Sequence, residues 1–391
     1  MAELSPDLLE KLSQDLELDL DRSSIYLEEG PKEAGKDLLK DSSYRYMLHG
    51  KGTEAIIKAT ATRSKKEIQK YHTGSAYIDF DGVRVNIDEY FLPKLNLKLT
   101  PLTGKLLQFM LIGATGLLNR EAVTEIRLDL NLVDVATALG RNIESKQAKY
   151  KFKKELLNAL EVLRRINLQI VETAKGKELK VGMAYLISSW MPSTTDKDTT
   201  EVILGLEFLK YLSQVHMKAF NTNILKISDA SSYQFHTAYD NYVTIGSNHV
   251  AKEGQKTPVQ AKIISIETAI KWATTLPTIE DVKGSDRRYT QRIIEPLEKI
   301  LDDEHGLIEK WEWCKAKGEK LTEDEKANLG SYDVIQDLFI KVIAIKEEEP
   351  LLNAVYPATG RILESKEKRA KQRARRVAKA EAAQPKPVKD E

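Results

Sequence analysis

One plan of elements occurs twice in this chain: a helical segment, a short apolar strand, two further helices of which the second is studded with Lys or Arg, and then a pair of strands. Elements this short bury their apolar faces only by packing together, so each copy is expected to form a small α+β unit. In the first copy the basic helix is SKQAKYKFKKELLNALEVLRRI, from Ser145 to Ile166, with Lys146, Lys149, Lys151, Lys153 and Lys154 at its front. In the second it is SDRRYTQRIIEPLEKIL, from Ser285 to Leu301, led by Arg287, Arg288 and Arg292 with Tyr289 among them. A helix N-terminus adds exposed N–H groups and positive dipole to such side-chain charge, which is the chemistry a recognition helix brings to duplex DNA.

The first copy begins at Thr100, which with Pro101 suits the cap and first turn of PLTGKLLQFMLIGAT, a helix whose Leu106, Leu107, Met110 and Leu111 form an inward stripe. EIRLDLN follows as a strand, Asn131 caps LVDVATALG, and Gly140 ends that helix. On the basic helix Phe152, Leu156, Leu160 and Leu163 recur at helical spacing, which turns that face inward and leaves the lysines in water. INLQIVE and ELKVGMAYLI read as strands around a turn at Lys175 and Gly176, and so as the wing of a winged helix-turn-helix. MPSTTDKDTT, residues 191–200, has the composition of a turn or a linker; the EVILGLEFLKYLSQVHM that follows is apolar enough to be ordered, as strand or as helix.

In the second copy Ser231 or Ser232 is placed to start the helix YQFHTAYDNYVTIG, and KIISIETAIKWA gives a strand and a short helix. Pro296 interrupts the basic helix by removing one backbone donor, so the helix either kinks or ends and restarts. GLIEKWEWC and DLFIKVIAI are the last two strands, and the polar KAKGEKLTEDEKANLG between them reads as an enlarged or partly helical wing. Trp311 and Trp313 share one strand face and suit a core or seam better than base stacking.

Net charge of +1 hides an uneven distribution: residues 1–45 carry 12 acidic and 6 basic groups, and residues 361–391 carry 11 basic and 5 acidic. In the tail Lys371, Arg373, Arg375 and Arg376 are candidate phosphate contacts, or else a solubilising extension. The acidic start holds leucines at 8, 9, 12, 16, 18 and 20, spaced for a surface helix or a dimerisation segment. SAYIDFDGVRVNIDEYF alternates as a hairpin turning at Asp81 and Gly82, expected to pack on the first copy. Lone Cys314 forms no intramolecular disulfide, scattered histidines give no zinc spacing, and no apolar run is long enough to cross a bilayer. A cytoplasmic protein without metal or cofactor is expected. The anticipated divisions are 1–94 for the acidic extension and hairpin, 95–200 for the first winged-helix domain, 201–230 for a connector, 231–350 for the second winged-helix domain and 351–391 for the basic tail.

DRRYTQRIIEPLEKIL, followed by WEWC, KGEKLTEDE and a strand, resembles the second winged domain of replication initiator proteins carried by plasmids and mobile elements of Gram-positive bacteria. NTNILKISDASSYQFHTAYDNYVTIG resembles the approach to that domain, and LTPLTGKLLQFML is a fainter match to the first domain; the likeness spans roughly residues 95–345. It implies two winged-helix domains in tandem that bind repeated sites on double-stranded origin DNA and help open the origin; the chain departs from the family by its single Cys and by its acidic extension and basic tail, expected to be flexible or extended termini. It further implies recruitment of host replication proteins, a homodimer among the partners, and a basic recognition set at Arg287, Arg288 and Arg292 beside Tyr289.

Lysines on a helix often form only a solubilising face, and Tyr150 and Tyr289 either touch sugars or bases or pack on their own units. Two basic clusters at equivalent positions favour DNA. Lys would supply mobile phosphate contacts, whereas Arg can also donate paired hydrogen bonds to guanine. A nicking replication enzyme is the alternative from another class, but His216, His236, His249 and His305 lack the close spacing of a metal site, and no Gly-rich phosphate loop is present. No catalytic residue is assigned. A transcriptional repressor would use the same contacts as an initiator, and only the resemblance puts initiation first.

Overall fold

The computed structural model describes residues 43–61, 69–70, 76–80, 83–87, 100–118, 124–174, 177–214, 216–250, 263–282 and 286–346. Their architecture is α+β, with mixed helices and four small antiparallel sheets among these residues. The acidic start and the basic tail, Lys371, Arg373, Arg375 and Arg376 included, lie outside the described residues.

The first copy opens with α2 (Pro101–Thr115), numbered after α1 (Lys51–Ala61), on which it packs. Leu106, Leu107, Met110 and Leu111 are all buried, as their spacing requires. Thr100 is extended and Pro101 fills the first helical position, although the Thr100 side chain makes no capping bond. Strand β5 (Arg127–Asn131) then runs directly into α3 (Leu132–Ala138), with the Asn131 side chain accepting from the N–H groups of Val133 and Asp134. Gly140, at φ +64°, ends the turn in the left-handed region. The basic helix α4 (Lys146–Arg164) follows, capped by Ser145 and buried along Phe152, Leu156, Ala159, Leu160 and Leu163.

After α4 the chain departs from the order expected of it. The hairpin β6 (Ile166–Ala174) and β7 (Lys177–Tyr185) forms, but it joins a different sheet. There β6 pairs with β4 (Val83–Ile87), which pairs with β3 (Ala76–Phe80) and through it with β2 (Gln69–Lys70). The Asp81–Gly82 hairpin therefore has the strands expected of it, and they sit on the first copy. The strands that complete the first copy's own sheet are β8 (Ile187–Pro192) and β9 (Thr199–Leu204), in the order β5-β9-β8. Of the two readings of residues 191–200, turn or linker, the turn is the one formed: residues 193–198 connect two paired strands, which take up the rest of the segment. The boundary at residue 200 cuts through β9, whose Val202 and Leu204 are buried.

What joins the copies is also folded. Helix α5 (Leu206–Gln214) and strand β10 (His216–Asn221) follow β9, and β10 pairs with β1 (Tyr44–His49). A 3-10 turn, Thr222–Lys226, leads into α6 (Ala230–Val250). Neither Ser231 nor Ser232 starts that helix; the Asp229 carboxylate accepts from the Ser232 N–H at 2.8 Å and takes the capping place, because a carboxylate there answers both the free donor and the dipole.

The second copy repeats the plan. Strand β11 (Ile263–Ser265) runs into α7 (Ile266–Trp272), and Ser265, the strand's last residue, caps the helix as Asn131 does in the first copy. The basic helix consists of α8 (Asp286–Tyr289), a π turn (Thr290–Ile294) and α9 (Glu295–Leu301). At the junction the Glu295 N–H donates to the Thr290 carbonyl, five residues back. That wider turn makes room for the ring of Pro296, so the helical backbone continues instead of ending and restarting. Strands β12 (Ile308–Cys314) and β13 (Phe339–Ile345) complete a sheet in the order β11-β13-β12, the same first-third-second order as in the first copy. Between them lie α10 (Glu323–Ala327) and α11 (Tyr332–Ile335), which makes that insertion partly helical as expected. Buried side chains of both copies and of the connector form one continuous hydrophobic cluster.

Candidate nucleic-acid interface

Each basic helix buries one face and presents the front of the other. On α4, Lys146, Lys151 and Lys154 are exposed, and Tyr150 stands out among them with 74% of its surface in water. Two of the five lysines are already engaged. Lys149 Nζ pairs with the Asp198 carboxylate at 2.6 Å, and Lys153 Nζ donates to the Lys197 carbonyl, so both fasten the helix to the turn between β8 and β9.

That turn is firmly built. Ser193 Oγ accepts from the N–H groups of Thr195 and Asp196, and the Asp196 carboxylate accepts from the Thr199 hydroxyl at 2.6 Å and from the Asp198 N–H at 2.9 Å. The Thr199 hydroxyl and then the Asp198 N–H hold the Asp196 carboxyl below the usual carboxylate range. Lys197 is exposed at the tip. The hairpin around this turn escaped the sequence reading, although ISSWMP and TTEVIL flanking a Ser, Thr and Asp cluster is itself a hairpin signal. At the rear of α4, Arg164 and Arg165 converge on Glu161, and Trp190 Nε1 donates to the same carboxylate. Arg164 above all holds the Glu161 carboxyl below its ordinary range.

In the second copy Arg288 and Arg292 are exposed on one stretch of helix. Arg287 lies in α8, and its side chain is outside the described residues. Tyr289 is not a surface contact. It is only 6% exposed and packs on Tyr332 of α11 with ring centres 6.0 Å apart, since its position in the helix points it at the wing insertion. Behind it Ile293, Ile294, Leu297, Ile300 and Leu301 are buried. Trp311 and Trp313 meet edge to face, and their indole N–H groups donate to Asp302 and Glu298, so the pair forms a seam between β12 and the rear of the basic helix.

His236 is fully buried in α6. Its Nε2 donates to the Ile300 carbonyl while Nδ1 accepts from the Leu307 N–H, which fixes a neutral ring, and burial brings its pKa down to about 4. Among the described residues, no group of three or more His, Cys, Asp and Glu side chains is placed to hold a metal ion. No helix there is long and apolar enough to cross a membrane. Comparison of the chain with protein-family models, with curated proteins and with solved structures finds no match.

Proposed function

We propose that the chain binds duplex DNA sequence-specifically through two winged helix-turn-helix units in tandem, and that its site is the replication origin of a plasmid or mobile element. One observation carries the DNA reading. Helix, strand, helix, basic helix and two strands recur in both copies with the same first-third-second sheet order, and in both the exposed front of the third helix is basic. In this reading 193–198 is the wing of the first unit and the segment between β12 and β13 the wing of the second. Arg288 and Arg292 read bases, and Lys146, Lys151 and Lys154 contact phosphates. Lys149 and Lys153 brace the first wing against its helix. The chain acts by binding, opening the origin with the help of host replication proteins and without a cofactor. Initiation is preferred over repression on the resemblance of residues 95–345 to initiator proteins.

The test is selection of bound duplexes from a random pool, followed by footprinting of the selected motif across the parent replicon. Repeated motifs beside an AT-rich tract are expected, with no strand cleavage and no covalent adduct on supercoiled DNA. Failure to enrich any motif would sink the DNA reading. Isolated promoter operators would replace initiation by repression, and a covalent adduct would replace both by a nicking enzyme.

A further inference from the structure

Buried polar groups, and not only apolar ones, join the two copies. Lys105, on the inner side of α2, is buried; its Nζ donates to the Ile227 carbonyl of the connector and lies 5.1 Å from the centre of the Tyr233 ring of α6. The Tyr233 hydroxyl donates back to Gln108 of α2 at 2.7 Å. The same ammonium feels Arg141, in the turn ahead of the first basic helix, and Asp303, just behind the second. Burial first, and then Arg141, bring Lys105 down to about 8, with Asp303 opposing. Asp303 in turn accepts from the Ser232 hydroxyl of α6 at 2.6 Å. One buried cation is thus linked to the first helix of each copy, to the connector and to the flanks of both basic helices.

A second lock stands two turns further along α6, where buried Lys218 of β10 pairs with Asp240 and bonds to Asn241. Gly140, the left-handed residue between α3 and α4, lies so close to the connector that a Cβ there would press on the Lys226 side chain at 3.0 Å. Apolar contacts tolerate sliding, but a buried charge displaced from its acceptor has nothing to replace it.

Building on the proposal that both basic helices read DNA, we infer that this seam holds the two heads at one separation and one rotational phase. The ligand is therefore a duplex carrying two half-sites at a single fixed spacing, with Lys105 and Tyr233 as positioning residues for it. Heads on a flexible tether would accept many spacings, whereas a rigid seam makes spacing part of the specificity.

Fluorescence anisotropy of the full chain tests this on the selected duplex, on each half-site alone, and on duplexes with insertions between half-sites from one base pair up to about one helical turn, roughly 10 bp. Affinity is expected to fall at least about tenfold at every insertion, the full turn included, because the second head's contribution is lost. Lys105→Met should flatten that dependence while leaving half-site affinity unchanged. Tyr233→Phe, which removes only a hydroxyl, should flatten it in part and stands in if Lys105→Met does not fold. Wild-type binding that tolerates insertions overturns the inference, as does a folded variant of either kind that keeps the sharp wild-type profile. Failure of the selected two-site duplex itself to bind is a different result, and overturns the DNA reading itself.

Discussion

The first copy of the plan carries its extra chain between the basic helix and the sheet, as the β6–β7 hairpin, whereas the second carries it between the last two strands, as the segment holding α10 and α11. Strand order survives both insertions because neither displaces a buried contact of the three-stranded sheet: β6 grows away by pairing with β4, and α11 lies over Tyr289. The exposed fronts differ more freely. One is Lys-rich on a regular helix tied to a short wing by Lys149 and Asp198, and the other carries Arg on a helix widened by a π turn ahead of Pro296. Packing fixes the plan, and the water-facing chemistry is left free to specialise.

The comparison can be broken hardest at two glycines. A Cβ at Gly205, where β9 passes into α5, would overlap the Tyr185 carbonyl oxygen, and one at Gly306 would overlap the buried His236 ring. Gly205→Ala meets backbone and is expected to cost about 3 kcal/mol or more; Gly306→Ala meets a side chain and should cost roughly 1 to 3 kcal/mol. Denaturant melts check the order, and a larger loss at Gly306 would show that the first copy is the more yielding of the two.

His236 supplies an asymmetry in pH. Its folded pKa of about 4 lies below the ordinary value of 6.5, so between these limits the unfolded chain binds the extra proton. Stability contributed by the neutral ring is therefore present above about pH 6.5 and lost as pH falls toward 4, by roughly 2 to 3 kcal/mol. Urea midpoints measured across that window should fall for the wild type and flatten in His236→Gln. Equal slopes in both would remove His236 from the account.

The two fronts should separate on DNA. Arg288→Ala or Arg292→Ala is expected to cost about 1 to 3 kcal/mol on the cognate duplex and much less on random DNA. Lys151→Ala or Lys154→Ala should weaken both alike and reduce the salt slope by about 1. Identical behaviour of the two sets in salt titrations would mean that both helices serve only as phosphate contacts. Smallest is the effect of the equivalent caps: Asn131→Ala and Ser265→Ala should each lose about 1 kcal/mol in thermal melts, and a near-zero loss at either would end the equivalence of α3 and α7.

The Asn131 cap was legible in the sequence because it is local: Asn131 before LVDVATALG and the Leu106, Leu107, Met110 and Leu111 stripe need only neighbouring residues to be read. Sheet membership was not. INLQIVE and ELKVGMAYLI announce a hairpin, but nothing in them shows that β6 takes β4 as its other partner. Pro192 and the polar run after it read as either a turn or a linker, and pairing of β9 with β8 and with the distant β5 decides for the turn. At the candidate interface the basic residue types were legible, but the Asp198 partner of Lys149 and the burial of Tyr289 depend on contacts far along the chain.

Hydroxyl-radical footprinting of the full-length chain on its selected duplex tests the central claim most directly. Two heads reading one site should protect two patches in successive major grooves, together longer than one helical turn of about 34 to 36 Å. Arg288→Ala with Arg292→Ala should erase one patch, and Lys151→Ala with Lys154→Ala the other. A single short patch that survives alteration of either helix would contradict the account.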